Sequence, residues 1–489
     1  MPAFQSAGVY YREIDLSLYA PALATTIFGV VGGAHKGPKN TPTFIGSVAE
    51  YIRVFGNPTT NMGRTAIQYL RFGRQLVVVR VANSDVAATA NLLDGSSNDA
   101  VGITAKETGE YGNDISVEIT DSVMYSGKKM LIIRYRGLSV EKWDNLAGGG
   151  GEIVTLLNAE SQYVSATDLG NDPVNQVLPL LSGDSGISGL IDADYIGTAD
   201  PYGTGTGLQS MANSETIDLN LIAVPGNSAS AVVTALISFA ETRGDCLALI
   251  DPPYGLDVQG VINWHNGDGY GHSALNSSHA ALYWSWHQIY DPYAKEAVWV
   301  PPCGPTAAIM AYTDFTAETW FAPAGMIRGK VQNSLDIEFS PSQGQRDFLQ
   351  GPGTNVNPYV NFSKEGIVLW GQKTLQRQPT ALDRVNVRRL LLWLEKVIVT
   401  AARSLVFEPN DEVTWRRFVS LCESAIEPVQ ARRGLYDFRV ICDDTTNLPE
   451  TIDQNRMIGK ILLKPTKTAE ILEIDFTILS TGAEFTEYV

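Results

Sequence analysis

The chain has 489 residues, of which 44% are hydrophobic and 18% charged, and a formal net charge of −17. That length exceeds one compact core and calls for two to four domains, and the apolar content excludes a disordered chain. Such an acidic balance argues against direct binding to nucleic-acid phosphates or to an anionic membrane surface, both of which require clustered Lys and Arg.

The first twenty residues stand apart from the rest. Gly8 and Val9-Tyr10-Tyr11 lead into Arg12-Glu13-Ile14-Asp15-Leu16, an alternating stretch without a helical stripe, and Pro21 follows. This pattern predicts an extended arm containing one strand, which cannot pair its own backbone and needs a sheet to join. No basic region precedes an apolar run here, so no signal peptide is expected and folding in a cytoplasm is.

From residue 25 the texture becomes α/β. Residues 27–31 (IFGVV) read as a buried strand, and Ser47 with Glu50 forms a capping box before a short helix that Gly56 ends. Residues 66–72 read as a second helix and 76–81 (LVVVRV) as a β-branched strand. Between about residues 82 and 207 the chain is rich in Gly and Asn turns with β runs at 115–119 and 130–135, and the glycine runs at 148–151 and 197–207 read as flexible connections. The α/β texture then resumes: strand 217–224, a turn at Pro225-Gly226-Asn227-Ser228 with Ser228 as N-cap, a helix ended by Gly244, and strand 246–250. An inserted β-rich domain, residues 83–207, inside one α/β domain, residues 21–82 and 208–365, is the economical division.

The last third is helical and then β. Val387, Leu390, Leu391, Leu394, Val397, Ile398, Ala401 and Leu405 share one apolar face, and Asn410 is placed to cap a second helix, which Pro428 should kink. Strands are expected at 436–442, 457–463 and 469–479, giving an α+β C-terminal domain over 366–479 and a tail, 480–489. Arg389, Lys396 and Arg403 recur every seventh position on one helix, and Arg416, Arg417, Arg432 and Arg433 mark the next; solvated helix faces are the plain expectation for both sets.

Catalytic readings fail one by one. Ser228 lacks the second glycine of GxSxG; no phosphate-binding loop is present, and residues 29–33 (GVVGG) are not GxGxxG. His265, His272, His279 and His287 are spaced unlike metal ligands and read as loop and surface histidines. Cys246, Cys303, Cys422 and Cys442 lie far apart and read as small buried hydrophobes in a reducing compartment. No cofactor, no metal and no enzymatic activity are expected.

Several segments together resemble contractile phage tail sheath proteins: Gly8-Val9-Tyr10, Glu13-Ile14-Asp15, residues 29–32 (GVVG) and 36–42 (KGPKNTP); residues 109–114 (GEYGND), Asp251-Pro252-Pro253 and residues 320–325 (WFAPAG); and residues 366–371 (GIVLWG), Thr374-Leu375, residues 386–390 (NVRRL), 407–412 (FEPNDE), Cys442-Asp443 and Thr446-Asn447. The resemblance implies a subtilisin-like α/β domain without the protease triad and an inserted β domain. It implies homo-oligomers, six-fold rings stacked helically around a tail tube, with baseplate and tail terminator proteins as further partners. It also implies a place in the virion after assembly in the host bacterial cytoplasm, and contraction from a metastable extended state. A phage-derived particle (R-type bacteriocin, extracellular injection system or secretion-system sheath) carries the same implications. The arms would add strands to a neighbour's sheet. Val9, Tyr10, Tyr11, Arg12, Glu13, Ile14, Asp15 and Leu16 at one end, and Ile471, Glu473, Asp475 and Thr477 at the other, are the expected arm strands. Arg416, Arg417, Arg432 and Arg433 are the residues expected to face an acidic tube.

Overall fold

The computed structural model describes residues 26–200, 205–471 and 473. The expected strand Val9 to Leu16, together with Asp475 and Thr477, lies outside these residues. The described chain is a mixed α/β, multidomain fold with several sheets.

Its largest element is an eight-stranded sheet. In spatial order the strands are Gly366–Leu369, Val356–Phe362, Ala280–Trp284, Leu247–Ile250, Leu221–Ala223, Ile27–Gly32, Gln75–Arg80 and Thr43–Ile45. The six inner strands run parallel and the two outer ones antiparallel. A parallel sheet is covered on both faces, which is why these strands are continuous apolar runs rather than alternations. Side chains leave each strand alternately toward two cores. Ile27 and Val31 join Val232, Leu236 and Trp264 on one face, beneath the helices Ser230–Arg243 and Val258–Asn266. Phe28 and Val30 join Tyr51, Phe55, Tyr69 and Met310 on the other, beneath Val48–Phe55, Asn61–Leu70 and Cys303–Thr316.

After Arg80 the chain leaves this sheet and returns to it at Leu221. In between it builds a four-stranded antiparallel sheet (Gln176–Pro179, Ile115–Asp121, Lys129–Tyr135, Leu138–Leu146) and a three-stranded one (Thr89–Leu93, Asp99–Ala105, Val164–Asp168). These share a separate core of Leu92, Val101, Ile103, Val117, Leu131, Ile133 and Leu157. The glycines at 148–151 are not a loose connection: Gly150 and Gly151 open the helix Gly150–Glu160, whose Leu157 enters that core.

One cation holds the crossing point. Arg80 is fully buried. It donates to the carbonyls of Ala34 (3.1 Å), Gly37 (2.7 Å) and Ser185 (3.1 Å) and to Thr108 Oγ1 (3.2 Å), with Asp85 at 3.5 Å. It thereby ties the main sheet to both connections of the inserted segment.

Local signals were met with small shifts. Ser47 Oγ accepts from Glu50 N at 3.2 Å as a cap should, but the Glu50 carboxylate accepts from Gly46 N rather than closing the box. The second helix begins earlier than residue 66, at Asn61, because the Thr60 hydroxyl caps it. Ser228 is not an N-cap. The helix starts at Ser230 with Ala229 at the cap position, because Asn227 Oδ1 accepts from Ala229 N at 3.0 Å and closes the turn first. Asp411, not Asn410, caps the second long helix Glu412–Ala431; Asn410 Oδ1 instead accepts from the Trp415 indole. Among the described residues no helix is long and apolar enough to cross a membrane.

Replacing Arg80 with Met removes the cation and leaves three carbonyls without this donor, while Asp85 keeps Lys39 and Thr108. It should lower stability by roughly 3–5 kcal/mol and open the connections around residues 82–88 and 181–190 to protease. Thermal unfolding and limited proteolysis would check this, and Arg80→Lys should recover only part of the loss because an ammonium cannot span the same fork of acceptors.

Candidate assembly interface

The C-terminal unit is built on two long helices, Val385–Ala402 and Glu412–Ala431, with a hairpin, Leu435–Ile441 and Lys460–Pro465, laid against them. The first helix serves two cores. Val385 and Leu392 pack under the main sheet, whereas Leu390 and Leu394 face Trp415, Phe418, Cys422, Ile426 and Val429 of the second helix. Pro428 sits inside the last turns of the second helix, which runs on through it to Ala431.

The hairpin alternates as a half-buried sheet must. Phe438, Val440, Ile461 and Leu463 pack on the helix core, while Tyr436 (63% exposed) and Leu462 (54%) face outward. Its strands pair antiparallel from Ile441 with Lys460 to Leu435 with Pro465, with a bulge near Asp437. This sheet has two strands, so among the described residues each strand is paired along one edge and unpaired along the other. A row of open N–H and C=O groups is a template for further strands.

The chain beyond Pro465 does not fill either edge as far as it is described. Thr466 N donates to Gly434 O at 3.1 Å, and the segment then turns toward the start of the first long helix, where Gln372 donates to Thr468 Oγ1 at 2.7 Å. Ile471 is 82% exposed, and neither Ile471 nor Glu473 belongs to a strand.

The basic series divide. Arg389 and Lys396 do not form a solvated face: Arg389 is buried against Asp314 (2.6 Å), and Lys396 reaches Asp218 (2.6 Å). A seven-residue period gave their common side, and that side faces the rest of the chain. Arg416, Arg417, Arg432 and Arg433 are exposed, the Arg416 side chain at 76%. Three of them meet acids of their own chain: Arg416 with Glu412, Arg417 with Glu408 at 3.8 Å, and Arg432 with Glu318 at 2.6 Å. Exposed pairs of this kind contribute about 0–1 kcal/mol each and can exchange partners readily.

The polar groups set aside in the sequence assemble no reactive centre among the described residues. Asp251 is buried and accepts from Gly226 N (3.1 Å) and Cys303 N (2.8 Å), so it ties two strand ends to a helix start. Burial pushes its pKa up to about 6, and burial beside that carboxyl pushes the Cys303 thiol well above its ordinary range, the reverse of what a nucleophile needs. All four cysteines are free and buried. Two histidines expected on the surface are core residues. His265 and His287 are fully buried, and the His287 ring stands edge-on to Tyr359 at 4.2 Å with Nδ1 3.1 Å from Ser334 Oγ. His279, half-buried, contacts Arg388. No group of three metal-ligating side chains occurs among the described residues.

These histidines make stability pH-dependent. Burial lowers His265 and His279 to about 4 and His287 to about 3. Below the ordinary value near 6.5 the unfolded chain therefore takes up protons that the folded chain refuses, and stability is lost as pH falls. Asp251 works in the opposite sense, since its folded-state pKa lies above the unfolded one. The fall in unfolding temperature between about pH 7 and about pH 5 should thus be smaller in His287→Gln than in the parent. An equal fall would show that His287 is not held neutral by its burial.

Comparison with known proteins bears on the same regions. Residues 200–375 match the model of the phage tail sheath protein central domain, and residues 377–478 that of the phage tail sheath C-terminal domain. The chain is 33% identical over 306 residues to the tail sheath protein of Vibrio phage KVP40, covering 58% of this chain and 45% of that protein. It is 32% identical over 293 residues to that of Enterobacteria phage T4, covering 56% and 44%. The chain therefore spans less than half the length of these curated relatives. In fold it resembles the sheath tail protein from Desulfitobacterium hafniense, with a TM-score of 0.64 at 15% identity over 89% of this chain and 94% of that one. It also resembles the contracted sheath of an extracellular contractile injection system, PVC, with a TM-score of 0.58 at 16% identity over 98% of both chains.

Proposed function

The chain belongs to the phage tail sheath family, and from that premise we propose that it is a structural subunit of a contractile tail sheath. Copies assemble as stacked hexameric rings around a tail tube, between a baseplate and a tail terminator. The sheath contracts from a metastable extended lattice to drive the tube through the host envelope. No catalysis, cofactor or nucleotide enters this scheme. The large parallel sheet corresponds to the subtilisin-like domain of the family, and the protein resides in the virion after assembly in the host cytoplasm.

The observation that carries the proposal is the two-stranded C-terminal hairpin with both outer edges open, from which the chain turns away after Pro465. Strands from neighbouring copies complete it. Residues 9–16 supply one, and the carboxy-terminal segment, in which Ile471, Glu473, Asp475 and Thr477 alternate with apolar positions, supplies another. Strand addition uses main-chain hydrogen bonds for strength and alternate side chains for register. At roughly 0.5–1.5 kcal/mol net per bond, a strand of several residues gives a link of a few kcal/mol. Such links hold while globular surfaces re-pack, and a small difference per subunit sums to a large one when many subunits move together. Coverage of 98% of the PVC chain supports a second reading, the sheath of an extracellular injection particle, in which the same subunit chemistry serves a different device.

Deleting residues 1–16 should leave a folded monomer with unchanged thermal unfolding that no longer forms tubular polymers in negative-stain micrographs. Ordered sheath from that deletion would refute the linkage. Charge reversal at Arg416 and Arg417 tests the tube contact separately: assembly on tube should weaken, and more so at low salt, where attraction between opposite charges is least screened. Unchanged assembly would remove these two residues from the tube face.

A further inference from the structure

The two described ends of the chain share an anchorage. Thr26, directly ahead of the strand Ile27–Gly32, is buried. Its hydroxyl donates to Asp314, and its carbonyl accepts from the Tyr69 hydroxyl. Arg389 Nη2 donates to the same hydroxyl at 3.3 Å and to Asp314 Oδ2 at 2.6 Å. At the other end Glu470 receives a two-pronged pair from Arg384, with Nε to Oε1 at 2.7 Å and Nη2 to Oε2 at 2.9 Å. Buried Gln372 adds a bond of 3.2 Å to the same carboxylate. Arg384 is the N-cap residue of the helix Val385–Ala402, and Arg389 lies in its second turn. One helix start therefore grips both roots.

The residues found there oppose helix preference. The amino end of a helix carries partial positive charge and favours acids, yet the first turn here holds none, and Arg384, Arg388 and Arg389 crowd it. Cations at this end are unfavourable for the helix by itself. Their carboxylate partners offset that cost, and a two-pronged pair fixes direction as well as distance. Arg384 also meets Asp383 at 2.8 Å, so its guanidinium is held from two sides.

We infer that the first two turns of this helix act as a strut between the two terminal segments, so that pull between neighbouring copies crosses the subunit through Arg384 and Arg389 rather than through the hydrophobic cores. The inference rests on the reading that the terminal segments join neighbouring copies. Arg384 and Arg389 are then positioning residues: they fix where both segments leave.

The test uses the full-length chain, reading the critical concentration for polymer by sedimentation and hydrogen exchange at residues 26–32 and 466–471. Arg384→Gln should raise the critical concentration about fivefold, the effect of loosening one modest link. It should also speed exchange at 466–471 without lowering the unfolding temperature. Arg384→Glu combined with Glu470→Arg should restore both. Arg389→Met with Asp314→Leu exchanges the buried pair for apolar side chains, a change such sites tolerate in folding. It should raise the critical concentration similarly while speeding exchange at 26–32. An unchanged critical concentration in either variant would overturn the strut, since both roots are needed for it. If residues 1–16 are nonetheless required for polymer, the linkage reading survives that result. Polymer formed without residues 1–16 would overturn both.

Discussion

A parallel sheet buried on both faces has to be roofed twice, and no single stretch of this chain supplies both roofs. One face takes the helices Ser230–Arg243 and Val258–Asn266, which follow the inserted segment. The other takes helices from before it, Val48–Phe55 and Asn61–Leu70, together with Cys303–Thr316. That second roof is finished by Val385 and Leu392, from a helix whose opposite side forms the C-terminal core. Covering apolar strands is worth about 25 cal/mol per Å², so the sheet draws the C-terminal unit onto itself. The hairpin's open edges are consequently held in a fixed direction relative to the main body.

That coupling explains why charges appear where cores usually exclude them. Arg389 and Asp314 lie between the roof and the C-terminal unit, and Arg80 lies between the main sheet and the inserted segment. Buried ion pairs add little net stability compared with apolar packing, but breaking one partner is expensive, and their geometry is specific. At both junctions the arginine addresses carbonyls or carboxylates from segments far apart in sequence. Apolar contact fills such a junction in many ways, whereas a guanidinium fork fits one arrangement. The four cores supply stability, and these arginines set how the parts stand relative to one another.

Much of this was legible in the residues. Runs such as 27–31 and 76–81 announce buried strands because a parallel sheet asks for β-branched side chains on both faces, and the helix period at 387–405 gave the face that packs. The misses share a cause. Ser228 and Asn410 each lie one residue from the group that acts there: Asn227 accepts from Ala229 N and Asp411 from Thr414 N. The glycines at 148–151 concealed a helix whose stability comes from Leu157 reaching a core built by strands on either side. His287 looked exposed because Tyr359, on which it packs, is distant in sequence. Arg389 and Lys396 looked solvated because a period states which residues share a side and not what stands opposite. Asp314 and Asp218 come from other segments, and the open hairpin edges had no sequence signature beyond alternation.

The acidic surface gives the last constraint on how copies associate. Subunits carrying a formal charge of −17 repel one another at short range, and at physiological salt that repulsion extends over about 8 Å. Charge attraction between identical copies is therefore a poor source of cohesion, and the exposed arginines of the second long helix are largely engaged with acids of their own chain. Main-chain hydrogen bonds are indifferent to net charge. A strand that crosses from one copy to the next concentrates its attraction along a line, while the like-charged globular faces stay free to slide, separate and re-pack. Repulsion of that kind disfavours the tighter of two lattices and favours the wider. In the proposed lattice, the same charge that keeps unassembled copies apart would push a linked array outward, and the proposed strands, with their roots fixed in the subunit, would hold it together as it moves.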